Sequence, residues 1–177
     1  PCERRGGAAA WLRLREHLAA FDADWVQGSV THSVFRNNGG DGLDTSGARI
    51  YVTDTLFTGM ADKAISAGED SRLVAMNNVI RDSVIGVASK DKSIVRVFSS
   101  VLYNNESALA LYRKKQIFGG GKAEVVSSVF WNNGESVSMD GESTFVGRGN
   151  AIDAGVDVSG LEITDSRQVV LDEYFQF

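Results

Sequence analysis

Short runs of alternating apolar and polar residues recur along the chain at a nearly constant interval. The first set of large apolar positions is Phe21, Leu43, Ile65, Val87, Leu109 and Val137. The second set is Phe35, Phe57, Ile80, Leu102 and Phe130, and the third is Val30, Val52, Ala75, Val97 and Val125. The common step is 22 or 23 residues, and each set contains a single longer step of 28 at its end. Because independent sets keep the same spacing and take the same insertion, the chain contains a structural repeat.

Each repeat contains three short runs with an apolar residue at every second position, which predicts strands with one buried face. A repeat of this length with three strands is typical of a parallel β-helix, in which successive coils stack at roughly 4.8 Å. A leucine-rich repeat has a similar length, but its leucine-and-asparagine consensus is missing from this chain. The sequence therefore predicts an all-β solenoid of about five to six coils, each of roughly 22 residues.

The repeat divides the chain into three parts. Residues 1–20 are predicted to be an N-terminal cap or a degenerate first coil, and residues 21–140 the β-helix coils. The longer step falls in a loop insertion at 113–122. The period fades after Val137, so we expect residues 141–177 to form an irregular last coil, a cap or a tail.

An Asn, Asp or Gly residue lies two positions after each member of the second apolar set. These residues are Asn37, Gly59, Asp82, Asn104 and Asn132. Asn, Asp and Gly accept the left-handed backbone conformation that a sharp corner requires. Stacked Asn side chains can also hydrogen-bond to the copy in the next coil. These residues are therefore interpreted as corner residues and not as a functional site.

Composition and charge exclude several classes of protein. The net charge of −5 argues against nucleic acid as a partner, because duplex binding requires a concentrated basic face. No apolar run approaches the length of a membrane span. Cys2 is the only cysteine, which excludes an internal disulfide and a cysteine-based metal cluster. Because the chain starts at Pro1 and not at Met, we expect a fragment or a processed form.

Four segments carry a resemblance to a known family. They are "GGDGLDTSG" (39–47), "DKAISAGEDS" (62–71), "IGVASKDKS" (85–93) and "YRKKQIFGGGK" (112–122). The 22-residue coils, with inward aliphatic residues and Asn-rich corners, resemble the right-handed parallel β-helix superfamily of pectate-lyase-like solenoids. More narrowly, the four segments resemble bacterial β-helix-repeat proteins of poorly defined function. The resemblance implies a right-handed single-stranded parallel β-helix. It implies no particular activity, since the superfamily includes lyases, hydrolases, epimerases and non-catalytic adhesins.

One group of acidic residues suggests a metal site. Asp22 and Asp44 are predicted to lie on adjacent coils about 5 Å apart, with Asp24 nearby. Like charges at that distance are unfavourable unless a cation lies between them, and Ca²⁺ takes several carboxylate oxygens. The sequence thus predicts a Ca²⁺ site on these three residues. The alternative is a solvated acidic edge.

A second group of polar residues follows the same face. Lys90, Tyr112 and Arg113 are the candidate catalytic residues, because a polysaccharide lyase needs a Lys or Arg base and a cation that neutralises a uronate carboxylate. The candidate substrate-binding residues are Lys63, Glu69, Asp91, Lys114 and Lys115. The alternative interpretation is that these charges form ion pairs between coils.

Two functions therefore remain open from the sequence. The first is a non-catalytic, extracytoplasmic or secreted β-helix module that presents a polar face to a glycan or to another protein. The second is a Ca²⁺-assisted lyase, or a related enzyme, that acts on an acidic polysaccharide. The paired aspartates of the family's polygalacturonases and the Asp-Pro-His-Glu motif of its epimerases are missing, which favours the first.

Overall fold

The computed structural model describes residues 18–152 and the backbone of residues 162–163. The predicted cap at 1–20 falls almost entirely outside the described residues, as does most of the predicted tail. Residues 18–152 contain strands and turns and no helix. Consequently, no helix in this part of the chain is long and apolar enough to cross a membrane.

In the part of the chain that the structure describes, nineteen strands form three parallel sheets. Sheet A contains β1 (Phe21–Asp24), β4 (Leu43–Ser46), β7 (Lys63–Gly68), β10 (Ile85–Lys90), β13 (Ser107–Tyr112) and β16 (Glu135–Met139). Sheet B contains β2 (Gln27–Thr31), β5 (Arg49–Thr53), β8 (Arg72–Met76), β11 (Ile94–Phe98), β14 (Lys122–Val126), β17 (Thr144–Arg148) and β19 (Glu162–Ile163). Sheet C contains β3 (Val34–Asn38), β6 (Leu56–Met60), β9 (Val79–Arg81), β12 (Val101–Tyr103), β15 (Val129–Trp131) and β18 (Ala151–Ile152). Six coils contribute one strand to each sheet, and β19 adds a seventh strand to sheet B, so the described residues form an all-β parallel solenoid of about six coils.

The predicted apolar sets are the columns of the core. In sheet A, Leu43 is the register partner of Phe21 on one side and of Ile65 on the other. The column continues to Val87, Leu109 and Val137. The sets in sheets B and C are in register as well, and their central members, Ala75 and Ile80, are fully buried. The predicted stacking of the repeats is therefore confirmed.

The regular coils extend further than the sequence pattern indicates. β17 pairs in register with β14, and β18 pairs with β15, so the sixth coil is regular as far as Ile152. The pattern is obscured because Gly147 occupies the column position of Val125. The ring of Phe145 fills the space instead, since a Cβ added to Gly147 would lie 3.0 Å from that ring. Residues 141–152 thus continue the core, with the large side chain two positions earlier.

The predicted corner residues adopt the expected backbone conformation. Asn37, Gly59, Asp82, Asn104 and Asn132 all have positive φ, between 51° and 72°. Their side chains form part of a ladder in which the Nδ2 of Asn132 donates to Asn104 Oδ1 at 3.2 Å. Asn104 donates in turn to Asp82. Each corner is therefore stabilised both by local backbone preference and by contacts between coils.

The second residue of each Asn pair has a different role from the first. Asn78 and Asn105 are 1% and 3% exposed. The Oδ1 of Asn78 accepts from the Thr55 amide at 2.9 Å, and its Nδ2 donates to the Val52 carbonyl at 2.9 Å. The Asn78 amide donates to Ser100 Oγ at 3.0 Å, so the buried polar column continues to the next coil. The sequence analysis did not identify these inner columns, because it treated the Asn residues as corner residues only.

We expect Asn78→Ala to destabilise the fold by about 2–4 kcal/mol, because it leaves a buried amide and a buried carbonyl without their partners. Urea unfolding followed by circular dichroism measures the change. The adjacent Asn77→Gly is the control, since it preserves the left-handed corner and removes only an exposed hydrogen bond to Asp54. An equal loss of stability in both variants would contradict the assignment of Asn78 to a buried column.

Candidate functional site

The outer face of sheet A and the turn that follows β10 contain the most deeply buried charges of the described residues. Lys63, Lys90 and Asp91 are 7%, 6% and 1% exposed. Buried charges require partners, because desolvation penalises the ionised form. The contacts of these three side chains therefore define the geometry of the face.

Lys63 is held between two carboxylates. Its Nζ lies 3.2 Å from Asp41 Oδ1 and 2.5 Å from Asp62 Oδ2. Its backbone amide also donates to Asp41 Oδ1, at 2.9 Å. Burial lowers the pKa of the Lys63 ammonium, but the hydrogen bond to Asp62 and the charges of both carboxylates outweigh it, so the net shift is upward. Lys63 is therefore a cation whose charge the protein already neutralises.

Lys90 is positioned by a glycine in the preceding coil. The stem of Lys90 crosses Gly68, where an added Cβ would lie 2.8 Å from Lys90 Cε. The side chain then reaches Asp44 two coils back, with Nζ 3.6 Å from Asp44 Oδ1. That distance is too long for a hydrogen bond. Lys90 and Asp44 consequently form a loose ion pair.

The insertion between β13 and β14 folds onto the same face. Asp91 Oδ1 accepts from the amides of Lys114 and Lys115 at 2.8 and 2.7 Å. The ammonium of Lys115 pairs with Glu69. These contacts fix the start of the loop and bring Lys114 beside the sheet.

Together these elements form an open depression of about 340 Å³, which we call the sheet A cleft. Its charged residues are Asp41, Asp44, Asp62, Lys63, Lys90 and Lys114, and Gly39, Gly40 and Ala61 complete the lining. Three carboxylates face three ammonium groups, so the cleft has no net charge. It offers closely spaced donors and acceptors, which suits a polyhydroxylated ligand.

The three candidate catalytic residues do not converge. Lys90 lines the cleft, but the Arg113 guanidinium pairs with Glu142 at 2.7 Å. The Arg113 amide donates to Asp140 Oδ2 at 2.7 Å, which directs this residue toward the following coil. Tyr112 is the register partner of Lys90, and burial raises the pKa of its hydroxyl. Lys90 and Arg113 therefore face different partners.

The predicted acidic column exists, but it does not form a metal cage. Asp22 and Asp44 are register partners, as expected. Partial burial raises the pKa of Asp22, and the charges of Asp24 and Asp44 add to the effect. Among residues 18–152, no three acidic or histidine side chains are arranged to hold a metal ion. The Ca²⁺ site on Asp22, Asp24 and Asp44 stays a prediction that this geometry does not support.

Of the predicted binding residues, Lys63 and Lys114 lie in the cleft, whereas Glu69, Asp91 and Lys115 anchor the loop beside it. The sequence analysis missed Asp41 and Gly68 as parts of the site. Asp41 lies 22 residues before Lys63, which is one period, so opposite charges at the repeat spacing were the available signal. Gly68 lies 22 residues before Lys90, so the repeat spacing placed the two residues in one column but did not show that the Lys90 side chain packs over the glycine.

Comparisons with known proteins agree with this architecture. A family model for the right-handed β-helix region matches residues 24–152. A search of curated proteins found no match, and neither did a search of solved structures. The matched segment covers most of the chain and contains nearly all of the six stacked coils. The chain belongs to the right-handed β-helix family.

Proposed function

We propose that the protein is a non-catalytic β-helix module that binds a glycan in the sheet A cleft. The main support is the loose Lys90–Asp44 pair, whose 3.6 Å separation leaves hydrogen-bonding capacity on both groups. A vicinal diol of a sugar can donate to the carboxylate and accept from the ammonium. Such charge-assisted bonds are the stronger class of hydrogen bond.

The balanced charge of the cleft favours a neutral sugar or one that carries a single carboxylate. Lys63 is neutralised by Asp41 and Asp62, so Lys90 and Lys114 are the cations left to meet an acidic group. A strongly acidic polymer would also approach the three carboxylates. We include an extracytoplasmic or secreted location in this proposal, because extended glycans are abundant there.

The alternative, a Ca²⁺-assisted polysaccharide lyase, requires Lys90 and Arg113 to act on the same sugar. The Arg113–Glu142 pair argues against that arrangement. A lyase would release unsaturated uronate, whose ultraviolet absorbance can be followed with and without Ca²⁺. Release of unsaturated uronate that is lost in a Lys90→Ala variant would contradict the proposed glycan-binding function and support a lyase.

We expect Lys90→Ala to weaken binding of a glycan found on an array by about tenfold or more, since one hydrogen bond to a charged group contributes about 1.5–3 kcal/mol. Gly68→Ala should weaken the same binding with no change in charge, because it displaces the Lys90 stem. The matched control is Lys122→Ala, an exposed lysine on sheet B. Isothermal titration calorimetry measures the affinities, and unchanged binding by both cleft variants would exclude the sheet A cleft as the binding site.

A further inference from the structure

The outer face of sheet B carries an apolar cluster, which we call the sheet B stripe. Its members are Tyr51, Val74, Phe98 and Val126. Val74, Phe98 and Val126 are only 7%, 8% and 5% exposed, although they alternate with the core residues of their strands. Val79 is an outward valine of sheet C in the same coil as Val74, and it is 38% exposed. The sheet B stripe is thus more deeply buried than the corresponding face of sheet C.

Charged residues border the sheet B stripe. Glu124 lies between two arginines, 3.6 Å from Arg96 Nε and 3.7 Å from the NH1 group of Arg148. The Nε of Arg148 is buried and has no hydrogen-bond partner among the described residues. An occupant that combines apolar side chains with carboxylates would complement both the stripe and the two guanidinium groups.

The chain itself passes the end of this face. β19 pairs with β17, with Glu162 opposite Val146 and Ile163 opposite Gly147. The residues that follow, 164–177, read "TDSRQVVLDEYFQF" and combine six large apolar residues with three acidic ones. From β19 to β5 the face spans about 24 Å, and a segment of this length reaches about 45 Å when extended.

We propose that residues 164–177 dock onto the sheet B stripe of their own chain. Their apolar side chains cover Val74, Phe98 and Val126, and Asp172 and Glu173 face the arginines. A tethered segment has a high effective concentration, which favours it over a second copy of the chain. The inference is independent of the proposed glycan binding.

Site-specific photocrosslinking in the full chain tests this proposal. The photoreactive residue p-benzoylphenylalanine replaces Met76, which borders the sheet B stripe and is 40% exposed. The matched control replaces Val79, which is equally exposed but lies on sheet C. We expect mass spectrometry to map crosslinks from position 76 to residues 164–177, with a yield several-fold above that from position 79. The double variant Asp172→Lys, Glu173→Lys should lower the yield several-fold, whereas Gln168→Lys should leave it nearly unchanged.

Three results would overturn the proposal. Crosslinks from position 76 that reach only residues 18–152 would mean that the described coils themselves bury the stripe. Crosslinked dimers whose yield rises with protein concentration would assign the stripe to a second copy. Equal yields of crosslinks to 164–177 from positions 76 and 79 would mean that the segment has no preference for this face.

Discussion

We expect Gly121→Ala to prevent the protein from folding, the largest effect that we expect from the addition of a single methyl group. A Cβ at this position would lie 1.8 Å from the Ser89 carbonyl oxygen and 2.4 Å from its carbon. Both atoms belong to the backbone of β10, so no side-chain rotation relieves the clash. We expect a cost above about 4 kcal/mol, a large share of the stability of a typical domain. Soluble yield, circular dichroism and thermal unfolding measure the outcome.

Gly141→Ala is the control for this prediction. It lies in the following coil, and a Cβ there meets no atom within 4 Å. We expect it to change stability by less than about 1 kcal/mol. If Gly121→Ala unfolded at the same temperature as the wild type, the close approach of the insertion to β10 would be wrong. The placement of Lys114 in the wall of the sheet A cleft would then be wrong as well.

Phe57→Ala is expected to destabilise the protein by about 3–5 kcal/mol, because it removes a large side chain from a rigid core and leaves a cavity. Phe57 is fully buried, and its ring stacks on Phe35 with centroids 4.7 Å apart and planes 6° from parallel. Neighbouring coils are held by backbone hydrogen bonds and cannot collapse into the space. The free energy of unfolding from urea titration measures the loss.

Trp131→Ala provides the comparison on the same sheet. Trp131 is 61% exposed on the outer side of sheet C, so its removal should cost less than about 1 kcal/mol. Similar losses for the two aromatic residues would mean that the inward and outward sides of sheet C are assigned incorrectly. Because the assignment follows from the repeat spacing, that result would count against the register of every coil.

The candidate site was only partly predictable. The sequence placed Lys90 on the outer face of one sheet, because alternation within a strand determines which face a side chain occupies. It could not assign Lys63 in this way, since Lys63 lies two positions before Ile65, and Ala64 and Ile65 are both in the core. It could not choose their partners, since a long side chain reaches acceptors in its own coil or in coils on either side. Lys90 contacts Asp44 two coils away, whereas Arg113 contacts Glu142 in the next coil.

The amino-acid sequence by itself determined the period, the three core columns and the left-handed corners. These features depend on interactions that repeat at a fixed spacing, namely burial of every second residue and the backbone preferences of Asn and Gly. The tertiary structure decided the rest. Three features depend on atoms from different coils. They are the inner Asn columns, the packing of Phe145 where the other coils have a column valine, and the packing of the Lys90 side chain over Gly68. No local pattern encodes such contacts, because each is set by the space and the partners that a neighbouring coil leaves available.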